Sequence, residues 1–213
     1  MSAEEFKRIL QDFFHNEPLP GPIAQNLMAP SSRNPGKLRH HRPKRLSAVM
    51  LLLYPNQGVW HMALIKRNAY QGNHSAQVSL PGGKKEKSDV DLATCALRET
   101  SEEIGVSGER NEVLGPLSSL YIPISNFLVH PYVMIRSERP HFKCSDQEVE
   151  YLIELPLEVL LKPEYKERIP IHSQGSLITA PIYVYQKDYI WGATAMILSE
   201  FAEIIKHLDL LNV

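Results

Sequence analysis

Cysteine is scarce in this sequence, which has only Cys95 and Cys144 among its 213 residues. Two thiols so far apart suggest neither a disulfide framework nor a cysteine-based metal site. Long apolar runs are also missing, so we expect no membrane partner. The N-terminus lacks the charged-then-apolar pattern of a signal peptide. Together these absences predict a cytoplasmic protein.

Neither sign of charge predominates, because 23 Lys and Arg residues face 24 Asp and Glu residues. A net charge of −1 provides no bulk attraction to phosphate backbones, so nucleic acid is not expected as a partner. With 43% hydrophobic residues, the chain is long enough to form one sizeable core. One main domain with additions is therefore predicted.

The first 45 residues differ in composition from the rest, so the predicted division is an N-terminal helix and proline-rich extension, 1–45, and a main domain, 46–213. A capping box and apolar residues at helical spacing predict an amphipathic helix over 3–15. Its apolar stripe packs either on the main domain or in a homodimer, and both remain open. Prolines predict an extended connector over 17–45. Its basic end, 37–45, is either solvated or reaches toward phosphate groups of a ligand.

Short apolar or alternating runs in the main domain predict strands. They are residues 47–54, 59–67, 113–123, 127–136, 147–155, 182–186 and 189–191. A polar loop over 68–80 is long for a mere connection, which favours a functional role.

Residues 82–106 read GGKKEKSDVDLATCALRETSEEIGV, a glycine turn followed by a predicted helix. At about 100° per residue, Glu99, Glu102 and Glu103 fall within an arc of roughly 100°, with Arg98 beside them. Crowded carboxylates repel each other, and they are typical ligands of Mg²⁺ or Mn²⁺. A solvated acidic face is the alternative, but the glycine turn and the Arg-Glu pair favour a metal site. The opposite side of the helix is predicted to face the core through Ala93, Leu97, Thr100 and Ile104.

Arg98 to Val106, RETSEEIGV, resembles the second half of the Nudix box, G-x5-E-x7-R-E-U-x-E-E-x-G-U, where U is bulky and apolar. In the first half, Gly83 is followed after five residues by Asp89 instead of Glu, and eight residues separate Asp89 from Arg98. Ser88 is predicted to cap the helix, with Asp89 near its positive end.

This resemblance implies an α+β fold, a Nudix-type α/β/α sandwich with a central mixed β-sheet flanked by helices. It also implies that Glu99, Glu102 and Glu103 hold Mg²⁺ or Mn²⁺, together with a carbonyl near Gly83, and that Arg98 orients the glutamates. A further glutamate often comes from a later strand in this family, for metal binding or water activation, which makes Glu148 a candidate. The resemblance leaves the base open between Glu148 and one of the three helix glutamates. Glu150 is held in reserve.

Residues 64–83, LIKRNAYQGNHSAQVSLPGG, resemble the signature of the coenzyme A pyrophosphatase subfamily, LLTxRSxxLRxHxGQVAFPGG. That subfamily commonly shares the one-residue offset of the box. The resemblance implies substrate-binding roles for Arg67, His74, Gln77, Gly82 and Gly83. The sequence departs from the signature where the subfamily has Arg, Gly and Phe, at Gly72, Ala76 and Leu80. Residues 190–195, IWGATA, resemble a later subfamily motif, in which Thr194 is predicted to cap a helix.

The implied reaction is metal-dependent hydrolysis of a diphosphate in a small nucleotide derivative. Coenzyme A or an acyl-coenzyme A, cut to 3′,5′-ADP and a 4′-phosphopantetheine product, is the leading substrate. ADP-ribose or another nucleoside diphosphate derivative is an alternative, favoured by Gly72 in place of arginine. A non-catalytic nucleotide sensor on the same scaffold is the alternative outside enzymes, although the intact glutamates argue against it.

Overall fold

The computed structural model describes residues 1–31, 43–68, 77–173 and 176–211. In these ranges an eight-stranded mixed sheet lies between helices, and a three-stranded antiparallel sheet stands beside it. This architecture confirms the predicted α+β sandwich. No helix in the described ranges is both long and apolar enough to cross a membrane.

The helices and strands follow each other in a simple order along the chain. The α-helices are α1 (Ala3–Asn16), α2 (Gly21–Asn26), α3 (Leu92–Ile104) and α4 (Gly192–His207). The larger sheet contains β1 (Arg45–Asn56), β2 (Val59–Arg67), β3 (Val78–Ser79), β4 (Gly82–Lys84), β5 (Val113–Pro116), β6 (Leu120–Ile122), β7 (Phe127–Ile135) and β8 (Val149–Pro156). The smaller sheet contains β9 (Lys166–Ser173), β10 (Ser176–Tyr185) and β11 (Asp188–Trp191).

Strand β1 lies at the centre of the larger sheet, where it runs parallel to β7 and antiparallel to β2 and β4. Its alternate side chains enter two different cores. Leu51 and Leu53 belong to the core that contains residues of α1 and α4, whereas Met50 and Leu52 belong to the core under α3. Burial on both faces explains why the sequence of β1 is apolar almost without interruption.

Helix α1 packs on the main domain. Its apolar stripe is buried through Phe6, Leu10 and Phe13, and the Phe6 ring stacks on Trp60 with 4.0 Å between ring centroids. Ser2 caps the helix by accepting a hydrogen bond from the Glu5 amide. In this structure the stripe is therefore satisfied within the chain.

The prediction of an extended connector over 17–45 is wrong for its first part, where α2 forms. Proline at the start of a helix costs no hydrogen bond, so Pro22 favours this short helix instead of excluding it. The buried carboxylate of Glu200 in α4 then accepts hydrogen bonds from the Gly21 amide and the Gln25 side chain. The first residues of the connector are thus part of the packed structure.

The strand predictions also need correction. The single strand predicted over 113–123 is divided into β5 and β6, because the Leu117 amide bonds to Pro131 and the Ser118 amide bonds to Glu200 at the break. Strand β9 was not predicted. Its sequence, KERIPIHS, mixes charges and a proline and so lacks a clear alternating pattern.

Candidate active site

Helix α3 begins at Leu92, and its N-cap is Asp91, whose Oδ1 accepts a 2.7 Å hydrogen bond from the Thr94 amide. The predicted cap at Ser88 is therefore wrong. The helix begins later than predicted because Asp89 closes a turn before it: the Oδ2 atom of Asp89 accepts a 2.7 Å hydrogen bond from the Glu86 amide. The helix ends at Ile104, and its C-cap Gly105 has the left-handed conformation, φ 72°, that favours glycine at this position.

The three glutamates of α3 share one side of the helix, but they differ widely in exposure. The side chain of Glu102 is 57% exposed, that of Glu99 is 14% exposed and that of Glu103 is 1% exposed. The burial of Glu103 argues against a solvated acidic face, which was the alternative to a metal site. The opposite side of α3 was predicted to face the core, and its residues Ala93, Leu97, Thr100 and Ile104 are indeed buried.

Glu103 is a buried carboxylate with two strong donors. Its Oε2 accepts a 2.7 Å bond from the Gly82 amide, and its Oε1 accepts a 3.0 Å bond from Nη1 of Arg67. Burial raises the pKa of Glu103 to about 7, against the opposing effects of Arg67 and the Gly82 amide. The glutamate thereby links α3 to both β2 and β4.

Arg98 binds the carboxylate of Asp89, which precedes α3, and those of Glu99 and Glu102 on α3 itself. Its Nε and Nη2 donate to the two oxygens of Asp89 at 3.0 and 3.1 Å, while Nη1 donates to Glu102 at 2.8 Å. Nη2 also lies 2.9 Å from Glu99 Oε1. The guanidinium therefore orients two glutamates and is itself held by Asp89. The sequence predicted that Asp89 lies at the start of the helix, near its positive end. In the structure Asp89 is instead buried before the helix, as the partner of Arg98.

We expect Asp89→Asn to lower the free energy of unfolding by about 2 kcal/mol near neutral pH. Hydrogen bonding to Arg98 lowers the pKa of Asp89 to about 2. A lowered folded-state pKa stabilises the protein above the unfolded value of about 4, and this contribution disappears as the pH falls through about 2. Denaturant unfolding at several pH values should show the two proteins converging in that window. Asp12→Asn, at an exposed position, is the control, and parallel curves for Asp89→Asn and wild type would contradict the assignment.

Both glycines of the turn before α3 are required by close contacts. Gly82 has φ 153°, and a Cβ there would lie 2.6 Å from Cα of Val49. A Cβ on Gly83 would overlap all three carboxyl atoms of Glu99. The bare backbone of Gly83 thus leaves the space that the Glu99 carboxylate occupies.

Gly83→Ala is expected to lower kcat by about tenfold to a hundredfold, because the new methyl group must displace the Glu99 carboxylate. Steady-state kinetics on the best substrate would measure it. Gly58→Ala is the matched control: Gly58 has φ 80° and open space around it, so only about 1 kcal/mol of stability should be lost. Equal kcat values for Gly83→Ala and wild type would show that Glu99 tolerates displacement.

A pocket of about 290 Å³ opens beside the glycine turn. Arg67, Gln77, Gly82 and Gly83, four of the five predicted substrate-binding residues, line it. The fifth, His74, lies outside the described residues. The other lining residues are Ser47, Val49, Val78, Ser79, Leu80, Lys84, Ile122, Ser125, Phe127, Val129, Trp191, Ala193, Thr194 and Ile197.

Several pocket residues were not singled out from the sequence. Phe127 and Trp191 provide aromatic walls, and Trp191 falls in the IWGATA motif, which was a usable signal. Thr194 is not a helix cap as predicted. Its hydroxyl donates to the Val78 carbonyl at 3.0 Å and so fixes the start of α4 against β3. Aromatic and apolar walls beside acidic groups are typical of a small-molecule site.

Glu148 lies in the turn before β8, not on the predicted strand, because its amide and that of Val149 both bond to the Ser145 carbonyl. Its side chain is exposed. Burial raises the pKa values of Glu99 and Glu103, and the charge of Glu148 contributes to both shifts. The charge of Glu148 thus acts on two of the helix carboxylates. Glu150 is exposed on β8.

The family model for the NUDIX domain matches residues 43–172, more than half of the chain. The chain belongs to the Nudix family. Nudix hydrolase NudL of Klebsiella pneumoniae is 32% identical over 170 residues, which cover 79% of this chain and 86% of that protein. Nudix hydrolase 15, mitochondrial, of Arabidopsis thaliana is 32% identical over 186 residues, 84% of this chain and 64% of that protein.

A crystal structure of a MutT/nudix family protein from Enterococcus faecalis superposes with a TM-score of 0.55 at 19% identity. The superposition covers 97% of this chain and 75% of that chain, and it agrees with the Nudix fold. The chain is therefore a Nudix pyrophosphohydrolase.

Nudix hydrolases generally use divalent metal ions. Within the described ranges, no group of three or more His, Cys, Asp or Glu side chains is arranged to hold one. The donor chemistry nevertheless fits, because Glu99, Glu102 and Glu103 present only oxygen ligands, which hard cations prefer. Each carboxylate oxygen has two lone pairs, so a hydrogen bond from Arg98 leaves acceptor capacity for a cation.

Proposed function

We propose that this Nudix hydrolase cleaves the diphosphate of coenzyme A or an acyl-coenzyme A, and releases 3′,5′-ADP and a 4′-phosphopantetheine product. The observation that carries the proposal is the junction at Gly82 and Gly83. On one side of it lie the carboxylates of Glu99 and Glu103, and on the other side lies the pocket. If the diphosphate of the substrate lies at this junction, one end of the substrate lies against the apolar and aromatic walls of the pocket.

In this proposal Glu99, Glu102, Glu103 and the Gly83 carbonyl would hold Mg²⁺ or Mn²⁺. A metal ion held there would supply electrostatic stabilisation of the charge that builds on the phosphate oxygens during phosphoryl and nucleotidyl transfer. The protein's own groups then position the reactants. Arg98 keeps Glu99 and Glu102 in place through charge-assisted hydrogen bonds.

Glu148 is the proposed general base, which takes a proton from the attacking water. Its charge contributes to the raised pKa values of Glu99 and Glu103, which supports a position near the metal site. Arg67 and Gln77 are proposed to contact the substrate, since both line the pocket next to the glycine turn. His74 has the same proposed role from the subfamily signature.

ADP-ribose, or another nucleoside diphosphate derivative, is the second candidate substrate. Gly72 favours it, because the subfamily signature has an arginine there and a guanidinium is a bidentate partner of phosphate groups. Both candidates use the same metal site and the same pocket.

A substrate panel tests the proposal. The protein is incubated with Mg²⁺ or Mn²⁺ and coenzyme A, acetyl-coenzyme A, ADP-ribose, NADH or a diadenosine polyphosphate, and the products are separated by chromatography. We expect 3′,5′-ADP from the two coenzyme A compounds. Turnover of ADP-ribose without turnover of coenzyme A would replace the leading substrate by the second one. Turnover of none would refute the proposal.

A further inference from the structure

Arg45 and Lys84 stand on one face of the sheet at the mouth of the pocket. Ser47 of β1 pairs with Lys84 of β4, so their side chains share a face, and Ser47 and Lys84 both line the pocket. Arg45 precedes Ser47 by two residues and therefore lies on that face as well. Diagonal neighbours of this kind are about 7–8 Å apart, within reach of two long side chains. A single anion can thus contact both cations.

Arg45 is held at this position by its surroundings. Its guanidinium lies over the ring of Phe127, with 4.2 Å from Cζ to the ring centroid, and Phe127 lines the pocket. Its amide donates to the Asn126 carbonyl at 2.8 Å, and the Asn126 side chain donates to the Pro43 carbonyl at 3.0 Å. A stacked guanidinium keeps its edge donors available for a planar partner or a phosphate.

Neither Arg45 nor Lys84 takes part in an ion pair with another described residue. Arg67 and Arg98, by contrast, are both committed to carboxylates near the glycine turn. The two cations at the pocket mouth therefore have donors to offer a ligand anion. The polar end of the pocket is chemically distinct from its apolar walls.

We propose that Arg45 and Lys84 bind a phosphate monoester on the ribose of the substrate, separate from the diphosphate that is cleaved. The inference rests on the proposed function, because it requires the nucleotide end of the substrate to enter this pocket. The ring of Phe127, over which the Arg45 guanidinium lies, is part of the pocket wall that would contact the nucleotide end of the substrate. The two cations thus select nucleotides that carry an additional phosphate over those that lack it.

Kinetics with coenzyme A and 3′-dephospho-coenzyme A test the selection. We expect Arg45→Ala and Lys84→Ala each to lower the ratio of kcat/KM between these two substrates by about tenfold or more. Lys44→Ala is the matched control, because Lys44 is the adjacent cation but lies over the Tyr121 ring, 4.9 Å from its centroid. An unchanged ratio in both variants would overturn the inference, since these cations would then act on the diphosphate or not at all.

Direct binding separates this inference from the proposed reaction. Calorimetric titration of the metal-free protein with adenosine 3′,5′-bisphosphate, adenosine 2′,5′-bisphosphate and 5′-AMP requires no turnover. We expect one bisphosphate to bind at least about tenfold more tightly than 5′-AMP, with the difference lost in Arg45→Ala. Equal affinity for all three would overturn the inference even if coenzyme A is hydrolysed. Failure to hydrolyse coenzyme A, with the binding difference intact, would refute only the proposed reaction.

Discussion

Glu103→Gln is expected to lower kcat by about a thousandfold or more while the protein remains folded. Glutamine has nearly the same shape and keeps an oxygen that can accept the hydrogen bond from the Gly82 amide. It removes the negative charge that the proposed metal ion requires. Its amide nitrogen cannot accept from Arg67, so the free energy of unfolding should also fall by about 1–3 kcal/mol, but the protein should remain folded and the larger loss should fall on catalysis and metal affinity.

Two measurements separate these effects. Thermal unfolding of the metal-free variant establishes that it is folded, and a titration of activity with Mn²⁺ reports metal affinity. Glu86→Gln is the matched control, since the Glu86 side chain is exposed in the loop just before α3 and should leave both measurements unchanged. Wild-type activity in Glu103→Gln would remove Glu103 from the metal site.

Phe6→Ala is expected to lower the free energy of unfolding by about 3–5 kcal/mol. The Phe6 side chain is fully buried and stacks on Trp60, so its removal leaves a cavity between α1 and the sheet. A loss of this size is a large part of the stability of an ordinary domain. It would mean that the N-terminal helix and the main domain fold together, across the boundary drawn at residue 45.

Arg8→Ala provides the control for α1, because the Arg8 side chain is 67% exposed and its pair with Asp12 is long, at 3.6 Å. Such a change should cost less than about 0.5 kcal/mol. Urea unfolding of both variants gives the comparison. If Phe6→Ala costs no more than Arg8→Ala, the helix is a separate addition and the predicted division of the chain stands.

The parts of the fold that were predictable from sequence are those with strong local signals. Strand β2 agrees with its prediction at both ends, and α1 differs by one residue at its C-terminal end. Helix α2 was missed because its stability depends on Glu200, a distant residue whose buried carboxylate accepts from both Gly21 and Gln25. Periodicity within a short window contains no such information.

The candidate site shows the same limit. The resemblance to the Nudix box singled out Glu99, Glu102 and Glu103, and the family itself is confirmed. The helical wheel could not predict that Glu103 is buried, since β2 and β4 cover it through Arg67 and the Gly82 amide. Those contacts connect residues far apart in the chain, and only the folded sheet brings them together.

The parallel pairing of β1 with β7 has a consequence for the order in which the molecule forms. Its nine aligned pairs join residues roughly 80 positions apart, from Arg45 with Phe127 to Leu53 with Ile135. Long-range parallel contacts form slowly, because a large loop must close before any contact can compensate for it. A nascent chain therefore contains the whole glutamate helix before the sheet that positions it is complete. Translation that stopped just short of β7 would yield every carboxylate of the motif but no assembled site.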